Sequence, residues 1–91
     1  MIKKSFTDEK LSNYADICMS YLVSDANILA QFMDFAGYDP NQLRNSVGSK
    51  AMAMALMEYF AKNEPALLAM CANSAIEVKD FMNFWQNQNH S

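Results

Sequence analysis

The chain has 91 residues, of which 52% are hydrophobic and 19% charged, with a formal net charge of −3. That length holds one domain, and an apolar share this large excludes an intrinsically disordered chain. The seven basic residues (Lys3, Lys4, Lys10, Arg44, Lys50, Lys62 and Lys79) are too scattered to form a stripe for a phosphate backbone, which argues against nonspecific nucleic-acid binding.

Glycine and proline, two each, act as punctuation between stretches of helical spacing. Residues 1–7 read as an N-terminal arm. Met1-Ile2-Lys3-Lys4 is basic but no apolar stretch follows it, so no export signal is expected. Helix one starts after Thr7, whose hydroxyl can cap it, with Asp8 and Glu9 at the positive end of the dipole. Its apolar face is Leu11, Tyr14, Ala15, Cys18, Tyr21 and Leu22. Ser24-Asp25 breaks the pattern, and Asp25 caps helix two, whose face is Ile28, Leu29, Phe32, Phe35 and Ala36. Gly37 then supplies a left-handed stop.

Asp39-Pro40 restarts the chain, because Asp39 can accept from orphan amides and Pro40 has no amide to waste. Helix three is short, about 40–47, and Gly48 ends it. Ser49 caps helix four, with Met52, Ala55, Leu56, Tyr59 and Phe60 inward. Asn63 caps helix five, with Glu64 and Pro65 in its first turn and Leu67, Leu68, Met70 and Cys71 as apolar positions. Helix six carries Val78, Phe81, Met82 and Trp85, and residues 87–91 read as a polar tail. No apolar run approaches the roughly 20 residues of a membrane span, so a cytoplasmic protein with no membrane segment is expected. Cys18 and Cys71 stand far apart on apolar faces and read as reduced core thiols.

A shift of 38 residues superposes the elements. Tyr21 falls on Tyr59, Leu22 on Phe60, Asp25 on Asn63, Leu29 on Leu67, Phe32 on Met70, Gly37 on Ala75 and Leu43 on Phe81. The expected fold is all-α: five to six short helices as two pseudo-repeated, helix-turn-helix-like three-helix units, 8–47 and 49–86, packed on one core.

Several of these residues carry a family resemblance. Leu29-Ala30-Gln31-Phe32, Gly37-Tyr38-Asp39-Pro40 with Leu43-Arg44, Leu56-Met57-Glu58-Tyr59-Phe60, Asn63-Glu64 and Leu67-Leu68 occur in this order and spacing. From Ala15 to Trp85 the chain resembles a family of short bacterial proteins, mainly alphaproteobacterial, known as domain of unknown function 3572. In similar proteins the last helix opens with a proline where this chain has Val78. The resemblance implies a helical fold and a bacterial, cytoplasmic setting, and no activity.

The residues give catalysis little to work with. The lone histidine, His90, sits next to the C-terminus, and no HExxH, GxSxG, P-loop or Cys/His metal spacing occurs. No enzyme, cofactor or metal is expected. The motif positions Gly37, Asp39, Pro40, Leu43, Arg44 and Glu64 have structural readings as stops, caps and helix-end charges. Arg44 and Glu64 could also pair with each other across the two units.

Two functional classes stay open. One is a non-catalytic interaction or regulatory module, binding a protein partner or a second copy of itself. Its candidate surface is Met54, which pairs with the polar Asp16 under the shift, together with Phe84 and Trp85 on an aromatic last helix. Core packing is the ordinary reading of all three. The alternative is a helix-turn-helix-like nucleic-acid regulator, since helix two, the Gly37 turn and helix three have that outline. Helix three offers only Asn41, Gln42 and Arg44 to bases, and helix six would present Glu77 and Asp80 to phosphates.

Overall fold

A computed structural model describes residues 9–89. The N-terminal arm, the Thr7 cap, His90 and Ser91 lie outside the described residues. Six helices follow one another: α1 (Glu9–Val23), α2 (Ala26–Ala36), α3 (Pro40–Ser46), α4 (Lys50–Ala61), α5 (Glu64–Ser74) and α6 (Val78–Asn89). No strand occurs among the described residues. Helix α6 runs to Asn89, so the expected tail at 87–91 is helical in its first three residues.

Side-chain caps set the helix starts. Asp25 accepts from the Asn27 amide at 2.9 Å, and the Ser49 hydroxyl accepts from the Met52 amide at 3.0 Å. Asn63 accepts from the Ala66 amide at 3.4 Å. At α3 the cap is reciprocal: Asp39 accepts from the Gln42 amide at 2.8 Å, and the Gln42 side chain accepts from the Asp39 amide at 2.9 Å. Pro40 follows at the first helical position.

Two helices end on a left-handed residue, Gly37 at φ +75° after α2 and Ala75 at φ +57° after α5. Glycine adopts that region freely, whereas an L side chain costs about 1–2 kcal/mol there. Ala75→Gly therefore relieves strain, partly offset by a looser unfolded chain. We expect a net gain of about 0.5–1 kcal/mol, read as a higher urea midpoint at unchanged m.

Local geometry recurs 38 residues apart. Helices α2 and α5 have the same length, and their bounds differ by that shift, as do the first residues of α3 and α6. The bond from the Leu29 amide to the Asp25 carbonyl matches that from Leu67 to Asn63. The bond from Tyr38 to Met33 matches that from Ile76 to Cys71. The α1–α4 crossing is the most extensive interface; α1 also packs on α2 and α5, and α4 on α2, α5 and α6. The third helices differ. Helix α6 packs on α4 and α5 and buries Phe81 and Trp85, while α3 has no buried residue.

The core runs through α1, α4 and α5. Leu11, Cys18, Leu22, Phe32, Leu56, Met57, Phe60, Met70, Cys71 and Phe81 are essentially inaccessible. Helix α4 buries six residues, including Ala53 and Met57, which a one-sided stripe does not anticipate. It touches α1, α2, α5 and α6, and a helix enclosed this way is apolar on several faces. Two positions expected inside are exposed. Phe35 is 46% accessible, with its ring edge-on to Tyr59 at 5.4 Å, and Leu68 is 49% accessible. Each lies one turn or less from a fully buried neighbour, at the margin of a stripe whose centre is Phe32 or Met70.

Candidate interaction groove

The Asp39 cap and Pro40 launch a helix of only seven residues, and the chain leaves it at Val47-Gly48 to begin α4. Helix α3 thus lies beside the last turns of α1 and the middle of α2 without closing over them. The result is an open groove of about 500 Å³ lined by Met19 and Val23 of α1, Leu29 and Met33 of α2, and Pro40, Leu43, Arg44 and Val47 of α3 and its cap. Seven of these eight residues are apolar. Val23 and Val47 are 60% and 61% accessible, among the most exposed large apolar side chains described. The volume falls within the range of ordinary ligand sites. A smaller cavity of about 50 Å³ between α1 and α4 shares Met19 and Val47 with the groove.

The charge at the groove is Arg44, exposed in the last turn of α3, where a cation suits the helix dipole. It makes no ion pair among the described residues. Glu64 sits in the first turn of α5, also the favourable end, and the expected Arg44–Glu64 pair does not form. An ion pair between Lys62 and Glu58 at 2.9 Å spans one turn of α4 and its cap.

The sequence placed its candidate surface elsewhere. Trp85 is in the core, because α6 turns its Phe81–Trp85 stripe inward. Phe84 is half-buried, stacked at a tilt on Tyr14 at 5.1 Å with the Lys10 ammonium 5.4 Å from its ring centre. Met54 is half-buried and packed against the core. None of the three lines the groove. Three motif residues do, namely Pro40, Leu43 and Arg44, while Gly37, Asp39 and Glu64 sit at helix ends. Sequence reasoning missed Met19, Val23, Met33 and Val47. Their signal was an excess of apolar residues beside the α1 stripe and at the end of α3.

Nothing in the described chemistry favours a nucleophile. Cys18 and Cys71 are free and buried. Burial pushes the Cys18 thiol far above its ordinary range, with the neighbouring Cys71 adding to the shift, and burial raises Cys71 as well. Tyr14 is raised first by burial, then by the charges of Asp80 and Cys71. Among the described residues no cluster of three His, Cys, Asp or Glu could hold a metal, and no helix is long and apolar enough to cross a membrane.

The thiol shifts have a sign in stability. The folded chain holds these protons above the ordinary thiol value of 9.0, while the unfolded chain releases them there. Stability is therefore fully present below pH 9 and declines as pH rises beyond it. Urea midpoints should be flat from pH 7 to about 8 and fall through pH 10. At pH 8 an aromatic disulfide reagent should label neither thiol until the chain is unfolded.

A family model described as a protein of unknown function (DUF3572) matches residues 9–88. No curated protein and no solved structure matches the chain.

Proposed function

The chain belongs to the DUF3572 family of proteins of unknown function, and from that premise we propose that it is a small, cytoplasmic, non-catalytic interaction or regulatory module built as two related three-helix units. The observation that carries this reading is the groove between α1, α2 and α3, where exposed Val23 and Val47 border an apolar floor. Leaving that surface bare costs free energy that covering it would recover, at roughly 25 cal/mol per Å² of apolar area. The protonated, buried thiols and the solvated carboxylates leave no evident acid, base or nucleophile at the groove. Unlinked cysteines accord with a reducing compartment.

The helix-turn-helix reading draws on the outline of α2, Gly37 and α3. Gln42, which would have to read bases, is instead engaged in the Asp39 cap, and Arg44 lines the groove. The interaction reading therefore has the better support.

A charge placed in the groove tests it. Val47→Glu changes an exposed residue and should leave thermal stability within about 0.5 kcal/mol of the parent. In affinity purification from the source cells, the parent should retain a defined protein that the variant loses. Equal retention by both would remove the groove from the function.

A further inference from the structure

We infer that the groove receives an amphipathic helix of another protein, one that presents two aromatic side chains a single turn apart and a carboxylate for Arg44. This rests on the interaction reading above and specifies the partner's chemistry.

The second half of the chain shows what fills the corresponding place. Shifted by 38 residues, Leu29 and Met33 of the groove floor become Leu67 and Cys71, and Met19 becomes Met57, all three buried. Leu43 becomes Phe81 and Val47 becomes Trp85, both core residues. In the second half, then, α6 delivers two buried aromatic rings with four-residue spacing to the core. In the first half the equivalent helix delivers a leucine and a valine, stops at Ser46, and leaves about 500 Å³ open. The missing volume is aromatic in kind, and the spacing is that of one helical face. Docking an apolar helix face into such a groove is a recurrent mode of recognition.

Charge fixes the remaining feature. Arg44 corresponds to Met82, so the groove rim is cationic where the closed half is apolar. Its guanidinium has no carboxylate among the described residues, and a planar fork of donors suits a carboxylate held beside an apolar contact. An acidic residue flanking the aromatic pair would meet it. A second copy of this chain is a poorer fit, because its own Phe81 and Trp85 are already in its core.

Methionine methyl signals report the outcome, since Met19 and Met33 line the groove while Met57 and Met70 are core. The probe is a synthetic amphipathic helical peptide with Phe and Trp four residues apart and a flanking Glu. Two controls replace the Glu with Lys or both aromatics with Ala. The aromatic acidic peptide should shift the Met19 and Met33 signals saturably, and the Ala control should not. The Lys control should bind about three- to fivefold more weakly, and Arg44→Ala should erase that difference. Shifts that ignore the aromatics, or no shift of Met19 and Met33, overturn the inference. So would concentration-dependent shifts of the same two signals without peptide, which would identify a second copy as the occupant. If the peptide fails while Val47→Glu still abolishes partner retention, only the partner chemistry falls. If both fail, the interaction reading falls with it.

Discussion

Phe60→Ala should remove a large share of the stability of the fold. Phe60 is fully buried near the end of α4, with Tyr21 edge-on at 6.0 Å and Tyr59 at 5.2 Å. Truncating a phenylalanine in such a site costs about 3–5 kcal/mol, from lost burial and from a cavity that rigid neighbours cannot close. A domain of this length has about 5–14 kcal/mol in total. Each kcal/mol shifts the melting temperature of a small domain by about 4–8 °C, so a fall of about 12 °C or more is expected by calorimetry. Phe35→Ala is the control, because Phe35 is 46% accessible and should cost about 1 kcal/mol or less. Similar losses for the two would mean that α4 is not the centre of the core.

The second large effect is a contrast between α6 and α3. Phe81→Ala removes a buried ring that meets Tyr14 edge-on at 5.5 Å and holds α6 to the body of the fold, and it should cost about 3–5 kcal/mol. Leu43→Ala in α3 removes a half-buried side chain facing an open groove, and should cost less than about 1.5 kcal/mol. Urea titration of both variants measures the gap. Equal costs would show that α3 is anchored as firmly as α6 and that the groove is closed in solution.

Most of the fold was legible because it is written in local chemistry. Asp25, Asp39, Ser49 and Asn63 each cap where a polar residue precedes an apolar rhythm, and Gly37 stops α2 because its conformation favours glycine. Helix α4 was harder. Once Ala53 and Met57 join the core, its apolar residues surround it, and no single stripe says which faces are covered. Ser12 is buried for the same nonlocal reason, since it lies in the α1–α4 crossing. The candidate site was legible only in part. Pro40, Leu43 and Arg44 stand out as a motif, but the sequence cannot show that Met19 and Val23 lie beside them, because that depends on where a short α3 comes to rest. Trp85 stayed open between core and interface because its type is favoured in both, and the seating of α6 puts it in the core.

The α1–α4 crossing also bears on how the molecule assembles. It is the widest contact in the fold, and its two helices are separated in the chain by all of α2 and α3. Single helices of 7–15 residues are marginal in water, so those of this chain flicker in and out on their own. The α1–α4 contact forms only after a loop spanning α2 and α3 has closed, at an entropic cost that grows slowly with its length. On the ribosome α1 can meet α2 early, but its widest partner, α4, emerges only after α3.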